Sequence, residues 1–290
     1  MFREKLSSAH EIFTEKGAIA LVAAISRVIL PTTLYNWGLL LFNEGVIAYP
    51  TRDGNWLLFS PLTLRRKRKI PNISETLSGI HLGSDRHKQM LSEMYSYEGF
   101  VEVEKGDVVV DVGAYIGTFS LVATKKAKKV VAIDPFASIN NVLYDNVSDY
   151  SNISIVPKAA WKCEDVVELN TSTRPSKNTL LTPKMGTNTT SYNVAANTVP
   201  ELVACEGITH IDFLKVEAEG VEIEIIEGVL NDEIDVGKIA VDAGPERYGE
   251  SVQKDIVQML ESSGYECRVK SEAPWWGDEI VFARRVYEAE

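Results

Sequence analysis

From about residue 100 onward, short runs rich in β-branched residues alternate with stretches whose apolar residues recur at helical spacing. Seven of these runs have strand character: 107–113, 129–135, 152–158, 211–218, 238–244, 265–270 and 279–285. Four helices are predicted between them, at 117–127, 137–147, 220–230 and 249–263. Alternation of this kind favours a parallel sheet that is covered by helices. Only 271–278 separates the last two strands, too short a link for a helical crossover, so these two strands are expected to pair antiparallel.

Together these patterns predict an α/β fold. Its main part is a Rossmann-like, mostly parallel seven-stranded sheet with a C-terminal antiparallel hairpin, and a mainly helical N-terminal extension precedes it. We place the division after residue 75, with 1–75 as an accessory region and 76–290 as the sheet domain. Residues 164–205 are polar and rich in Thr, Asn and Ser, which fits an inserted hairpin or a loop over a binding site.

Two features of the N-terminal region leave alternatives open. Residues 17–42 are strongly apolar but are interrupted by Arg27 and Pro31, so no uncharged run reaches the roughly 18 residues that a spanning helix needs. This segment is either a pair of buried or oligomer-forming helices or a segment lying in a membrane interface. The basic run at 65–69 is either a solvated face or a contact with anionic lipid or a phosphorylated substrate.

Charge and composition exclude several classes of protein. A formal net charge of −11 argues against nucleic-acid binding, which needs a basic face. The three cysteines are far apart, and the four histidines share no metal-ligand spacing. No cleavable signal peptide opens the chain, so a cytoplasmic location is expected, peripheral to the inner face of the membrane if 17–42 and 65–69 contact lipid.

The turn after the first strand of the sheet reads DVGAYIG, residues 111–117. In an open α/β sheet, ligands bind at the carboxyl ends of the strands, so a nucleotide-like cofactor is expected here. Gly113 permits a sharp turn and Gly117 opens the next helix, but the G-x-G-x-x-G pattern of dinucleotide-binding proteins is absent. Asp111 suits a ligand that bears an ammonium group. The neighbouring loop residues Ala114, Tyr115 and Thr118 are assigned to the same site.

The second strand ends in Asp134, followed by Pro135 and Phe136. A carboxylate at this strand end can accept hydrogen bonds from both hydroxyls of a ribose, and an aromatic ring beside it can pack on adenine. An adenosine ligand with a cationic amino-acid tail and no phosphates is S-adenosylmethionine. We therefore expect S-adenosylmethionine as the cofactor.

Three stretches resemble the FkbM-type family of S-adenosylmethionine-dependent methyltransferases. They are VVVDVGAYIGTFSL, AIDPFASINNVLYDNV and IDFLKVEAEGVEIEIIEG, and the resemblance covers roughly residues 95–245. Leu143 and Asn146 fall where the family has its Leu-x-x-Asn, and the third stretch is similar to its Lys-x-Asp-x-Glu-Gly-x-Glu signature. Glu217 stands where the family usually has Asp. The resemblance implies O-methylation of hydroxyls on sugars or natural products, with uronic acids also represented.

The residues of the fourth strand suggest the chemistry. Period-two alternation predicts that Lys215, Glu217 and Glu219 share one face of the strand. Methyl transfer to a hydroxyl needs a base, so Glu217 or Glu219 is a candidate base that Lys215 orients. Alternatively, Glu217, Glu219 and Asp242 hold Mg²⁺, which binds neighbouring sugar hydroxyls.

The most favoured function is therefore S-adenosylmethionine-dependent O-methylation of a sugar or glycan, as a small molecule or lipid-linked, at a hydroxyl or a uronic acid carboxylate. Two alternatives remain. One is an NAD-dependent oxidoreductase on a similar sheet, and the other is a non-catalytic binding or scaffolding protein that retains the fold.

Overall fold

The computed structural model describes residues 47–50, 56–60, 65–70, 85–172, 175–182, 190–270 and 279–287. The chain divides into two compact units, Met1–Met90 and Leu91–Glu290. Within the first unit, three strands form an antiparallel sheet in the order β1-β2-β3: β1 (Ile47–Pro50), β2 (Trp56–Ser60) and β3 (Arg65–Ile70). These strands were not part of the mainly helical N-terminal region that the sequence predicts, and the basic run 65–69 lies on β3. The apolar segment 17–42 lies outside the described residues.

The second unit is built on the seven-stranded sheet, and the predicted fold class is confirmed. Its spatial order is β12-β13-β11-β10-β4-β5-β6. The strands are β4 (Val108–Val112), β5 (Lys129–Ile133), β6 (Ile153–Val156), β10 (His210–Val216), β11 (Asp235–Asp242), β12 (Tyr265–Lys270) and β13 (Ile280–Arg285). Neighbouring strands from β6 to β11 run parallel, and β13 pairs antiparallel with both β11 and β12. Each of the seven predicted strands is therefore present.

The described stretches contain six α-helices: α1 (Asp85–Met94), α2 (Thr118–Ala123), α3 (Ala137–Val147), α4 (Val199–Ala204), α5 (Glu222–Leu230) and α6 (Gln253–Ser262). Four of them, α2, α3, α5 and α6, follow the predicted positions, whereas α1 and α4 were not predicted. In α3, Ile139, Val142, Leu143 and Val147 are all buried, which is the i, i+3, i+4, i+8 pattern of one helix face. None of the helices in these described stretches is long and apolar enough to cross a membrane.

Strands within 159–170 and 191–197 form a separate small sheet, which agrees with the inserted hairpin, one of the two alternatives predicted for 164–205. Strand β8 (Asp165–Asn170) pairs antiparallel with β9 (Ser191–Asn197), and β7 (Ala159–Ala160) pairs parallel with β9 on its other side. A short 3₁₀ helix, Pro175–Lys177, lies in the connection between β8 and β9.

Gly113 lies where two strand ends approach each other closely. It follows β4 with a φ of 71°, and a Cβ atom at this position would lie 1.7 Å from the carbonyl oxygen of Glu217, which follows β10. Only glycine allows both the left-handed backbone and this approach. Gly113 thus brings the ends of β4 and β10 together.

We predict that Gly113→Ala lowers the free energy of unfolding by about 3 kcal/mol or more, because the added methyl group meets backbone that cannot rotate away. Gly99→Ala is a matched control, since Gly99 has a φ of 68° but no atom within 4 Å of the added Cβ. It should cost only the left-handed backbone penalty of about 1 kcal/mol. Urea denaturation followed by circular dichroism measures both, and equal costs would contradict the close-approach argument.

Candidate active site

The glycine turn is held to the adjacent strand and to helix α3. The N–H groups of Gly113 and Ala114 both donate to the carbonyl of Ile133 at the end of β5, at 3.0 and 3.1 Å. A Cβ atom on Gly117 would lie 2.7 Å from Leu143, and the amide of Asn146 donates to the carbonyl of Ile116 at 3.0 Å. The Leu-x-x-Asn pattern of α3 therefore has a physical role, which is to fix the shape of this turn.

Asp134 lies directly after β5, beside the glycine turn. Its two carboxylate oxygens accept hydrogen bonds from the backbone N–H groups of Tyr115 at 2.9 Å and Phe136 at 3.0 Å. Burial raises the pKa of Asp134 to about 6, against the opposing effect of these two N–H groups. A carboxylate has about four lone-pair sites, so Asp134 can accept two further hydrogen bonds. The ring of Phe136 lies near that of Tyr192 on β9, with 6.3 Å between ring centroids.

A buried lysine joins the ends of β4 and β10. Lys215 and Asp111 are direct neighbours in the parallel register, and the Lys215 ammonium lies 3.1 Å from Asp111 Oδ1 and 3.0 Å from Glu217 Oε2. It also donates to the carbonyl oxygens of Val112 and Gly113. Asp111 is completely buried and accepts a 2.7 Å hydrogen bond from the Ser120 hydroxyl. Asp111 thus contacts Lys215 and Ser120, and its direct contact with a ligand ammonium stays a prediction.

Glu217 is held from two sides. The Tyr95 hydroxyl, on the segment before β4, donates to Glu217 Oε2 at 2.7 Å, and Lys215 contacts the same oxygen. Burial alone would raise the pKa of Glu217, but Lys215 and Tyr95 outweigh it, so this pKa lies below its usual value. Burial likewise lowers the pKa of Lys215, but the facing carboxylates of Asp111 and Glu217 outweigh it and raise this pKa above its usual value. Both groups therefore stay charged at neutral pH.

Glu219 lies apart from this cluster. Strand β10 ends at Val216, so the predicted alternation stops before Glu219, whose backbone is left-handed with a φ of 55°. Its carboxylate contacts Lys177 from the insertion instead of Lys215, with Nζ to Oε1 and Oε2 distances of 3.0 and 2.9 Å. Burial raises the pKa of Glu219 to about 7, although Lys177 opposes this shift. Of the two candidate bases, Glu219 alone therefore titrates near neutral pH.

The turn that carries Glu219 is shaped by Glu222, the first residue of α5. Its side chain is buried, and one of its oxygens accepts hydrogen bonds from the N–H groups of Ala218 at 2.9 Å and Gly220 at 3.1 Å. Glu222 thus satisfies backbone groups that the turn leaves without partners. Its role is structural.

A cavity of about 60 Å³ lies between this turn, the end of β5 and the insertion. Its walls are mostly apolar: Pro135, Ala159, Ala160, Leu169, Leu180, Ala218, Val221 and Ile225, with Asn178 and Thr179 as polar members. The Asn178 amide oxygen accepts from the N–H of Ser172, but its buried Nδ2 has no hydrogen-bond partner among the described residues. A buried amide donor of this kind is costly unless a ligand or water accepts from it.

The residues suggested for Mg²⁺ do not fit a metal site. Glu217 contacts Lys215, Glu219 contacts Lys177, and Asp242 accepts from the N–H of Gly244. No group of three or more His, Cys, Asp or Glu side chains suited to a metal occurs in the stretches that the structure describes. The carboxylates at this edge of the sheet are therefore arranged around lysines and backbone N–H groups.

Four residues that shape the site, Tyr95, Lys177, Asn178 and Tyr192, were not assigned to it from the sequence. Lys177 and Asn178 lie in a polar stretch without periodicity. The sequence does not distinguish a site residue from a core residue at Tyr95, because aromatic side chains before the first strand occur in both places. In the structure, Tyr95 is both buried and hydrogen-bonded to Glu217.

We predict that Lys215→Met destabilises the protein by about 3–5 kcal/mol at pH 7, because it leaves Asp111 and Glu217 without their shared cation. The loss should shrink as the pH falls, since protonation removes the unpaired charge of Glu217. Lys129→Met is the control, because Lys129 pairs with Glu206 at 3.0 Å in a more exposed position and should cost less than about 1 kcal/mol. Chemical denaturation at pH 7 and pH 5 tests this, and a pH-independent loss would contradict it.

Comparison with known proteins agrees with this architecture. The family model described as the methyltransferase FkbM domain matches residues 111–267, which is more than half of the chain. No curated protein matches the sequence of this chain.

Three solved structures are among those to which the chain is similar. A methyltransferase FkbM from Methylobacillus flagellatus KT has 17% identity and a TM-score of 0.46, with 67% of this chain and 47% of that chain covered. The fibrillarin pre-rRNA processing protein of Methanococcus jannaschii has 13% identity and a TM-score of 0.47, covering 83% and 94%. TrmK of M. capricolum, in complex with S-adenosyl-homocysteine, has 14% identity and a TM-score of 0.41, covering 71% and 70%.

The chain thus spans less than half the length of the Methylobacillus protein, and these likenesses concern the fold alone. The family match is more specific, because it includes the glycine turn, Asp134 and the turn that carries Glu217 and Glu219. The chain belongs to the methyltransferase FkbM domain family.

Proposed function

We propose that the protein transfers a methyl group from S-adenosylmethionine to a hydroxyl of a sugar or glycan-type acceptor. The main support for the proposal is a pair of carboxylates in different environments at the carboxyl ends of the parallel strands. Asp134 is held by two backbone N–H groups beside the glycine turn, and Glu219 has a pKa raised to about 7 by burial. The first suits recognition of a ribose, and the second suits a base at neutral pH.

The described residues fit an adenosine ligand. Asp134 has lone pairs available for two ribose hydroxyls, and Phe136 and Tyr192 offer aromatic surface beside it. Pro135 continues from Asp134 into the wall of the cavity, where the Nδ2 group of Asn178 needs an acceptor. A purine nitrogen is an acceptor of this type. The base would therefore extend from Asp134 toward Asn178.

In this proposal the chain's residues position the acceptor and move its proton. Bound S-adenosylmethionine would supply an electrophilic methyl group, whose bond to sulfur would break, with its electrons staying on sulfur, as the acceptor oxygen bonds to the methyl carbon. Glu219 accepts the hydroxyl proton, for which a pKa near the working pH is favourable. The anionic cluster of Asp111 and Glu217 around Lys215 carries a net negative charge, which favours a cationic donor nearby.

The charges around the β10 turn favour a neutral hydroxyl over a uronic acid carboxylate. Lys177 already contacts both oxygens of Glu219, and Arg247 forms two hydrogen bonds of 2.8 Å with Glu224. Among the described residues around the turn that carries Glu219, Lys215 is likewise paired, with Asp111 and Glu217. An anionic acceptor would face carboxylates without a free cation, which is unfavourable. The sugar class itself rests on the family resemblance.

We expect saturable binding of S-adenosylmethionine in calorimetric titration, and no binding of NAD⁺ under the same conditions. Asp134→Ala should weaken the S-adenosylmethionine affinity roughly 100-fold or more, because two charge-assisted hydrogen bonds are lost. Asp212→Ala is the matched control, since Asp212 also accepts from a backbone N–H, that of Val108, but at the opposite edge of the sheet. Unchanged binding in Asp134→Ala would refute the ribose placement, and binding of NAD⁺ alone would favour the oxidoreductase.

The same titration has an expected pH dependence. The ionised form of Asp134 is the better acceptor, and burial raises its pKa to about 6. Affinity should therefore be full above about pH 7 and fall as the pH drops through 6, by roughly tenfold at pH 5.

Glu219→Gln should retain the S-adenosylmethionine affinity and reduce methyl transfer by about 100-fold or more, because the amide cannot accept the proton. Transfer of radiolabelled methyl from S-adenosylmethionine to p-nitrophenyl glycosides measures this, with neutral hexosides and a glucuronide compared side by side. Labelling of the neutral hexosides is expected. Full activity of Glu219→Gln would refute its role as base, and labelling of the glucuronide alone would refute the preference for a hydroxyl.

A further inference from the structure

Part of the insertion crosses the carboxyl end of β10. We call residues 175–182 the strap. The hydroxyl of Thr179 donates to the backbone carbonyl of Glu219 at 2.7 Å, and Leu181 packs so closely on Gly220 that an added Cβ would lie 2.6 Å from it. Tyr248, after β11, donates from its hydroxyl to the carbonyl of Thr182 at 3.3 Å. The strap is thus attached to the turn by contacts that do not involve Lys177.

These contacts place Lys177 against the candidate base. Its ammonium lies 3.0 and 2.9 Å from the two oxygens of Glu219, so it fixes the plane of the carboxylate as well as its position. The Glu219 side chain is 16% exposed and that of Lys177 is 53% exposed. The Glu219 carboxylate is therefore mostly buried, and Lys177 reaches it from the side that faces solvent.

Charged groups reach Glu219 from three elements. Lys177 comes from the strap, Glu217 from the end of β10, and Glu246 from the segment after β11. Two carboxylates and burial favour the protonated form of Glu219, and Lys177 is the group that favours the ionised form. Burial lowers the pKa of Lys177, but Glu219, with Glu246 and Glu217, outweighs it and keeps this pKa above its usual value. Lys177 is therefore a cation at neutral pH.

We propose that Lys177 is a positioning residue for methyl transfer, which orients the Glu219 carboxylate and keeps it ready to accept the acceptor's proton. The proposal rests on the proposed function, because it assigns Lys177 to the same proton transfer. The hydroxyl proton passes to Glu219 as the oxygen–carbon bond forms, and Lys177 neither gains nor loses a proton. The insertion thus contributes to catalysis through Glu219.

The simplest alternative is an ion pair with a structural role only. Exposed ion pairs contribute little to stability, about 0–1 kcal/mol, and any ion pair with Lys177 would lower the titration midpoint of Glu219. The titration therefore tests the contact, and the pH dependence of methyl transfer tests the role, because a purely structural pair would leave the pH–rate profile in place.

The test uses the full chain labelled with ¹³C at the glutamate carboxyl carbons and followed by NMR from pH 4 to pH 9, with the Glu219 signal assigned by its loss in Glu219→Gln. In Lys177→Met, the Glu219 titration midpoint should rise by about one pH unit, a tenfold weaker proton dissociation, because the opposing cation is gone. Lys177→Arg should keep the midpoint within about 0.3 units of the wild type. Lys129→Met, which removes a lysine of similar ion-pair distance elsewhere, should leave it unchanged. An unchanged midpoint in Lys177→Met would overturn the proposal.

A second experiment measures the rate of methyl transfer, as a function of pH, to the neutral hexoside that the wild-type protein methylates. The acidic limb of the pH–rate profile should move to higher pH in Lys177→Met and should match that of the wild type in Lys177→Arg. Both variants should bind S-adenosylmethionine with the affinity of the wild type. Failures of the two proposals are distinguishable. Absence of S-adenosylmethionine binding by the wild type refutes the proposed function, whereas normal binding with an unshifted profile in Lys177→Met refutes the role of Lys177 alone.

Discussion

The ammonium of Lys215, buried between Asp111 and Glu217, is the interaction on which the candidate site depends. The parallel register sets Lys215 beside Asp111, and the close approach at Gly113 brings the Glu217 backbone to the same place. Removing Lys215 would leave the completely buried Asp111 without its cation, which costs more than a substitution that leaves no buried charge unpaired. Tyr95 and Ser120 complete the cluster with hydrogen bonds to the two carboxylates. The geometry of the sheet edge therefore follows from one charge cluster.

The carboxylates at this edge have different environments, and this difference gives them different tasks. Glu217 has a cation and a hydroxyl donor and stays ionised, whereas Glu219 is covered by the turn and the strap and titrates near neutral pH. Asp134 differs from both, because its partners are backbone N–H groups that cannot move away. In the proposed function, these three carboxylates would serve for structure, proton transfer and ligand recognition.

Most of the sheet domain could be predicted from the sequence, because its signals are local. The bounds of helix α3 were predicted to the residue, since its apolar positions repeat at helical spacing. The positions of Asp111 and Asp134 were predicted from the ends of the β-branched runs. The strap could not be predicted in this way. Lys177 and Glu219 are 42 residues apart, and Tyr95 and Glu217 are 122 apart, so each contact exists only after the fold has formed. The strands β1 to β3 were missed because the basic run was interpreted by its charge and not by its pairing.

The two sides of the site come from separate stretches of the chain. The glycine turn, Asp134 and the α3 residues that support them lie within 111–146, whereas Lys177, Glu219 and Glu246 lie within 175–246. The strap also carries Asn178, and β9 carries Tyr192, and both belong to the proposed adenosine pocket. Among related chains, substitutions in the insertion that spare these two residues would change what is modified while the donor site is kept.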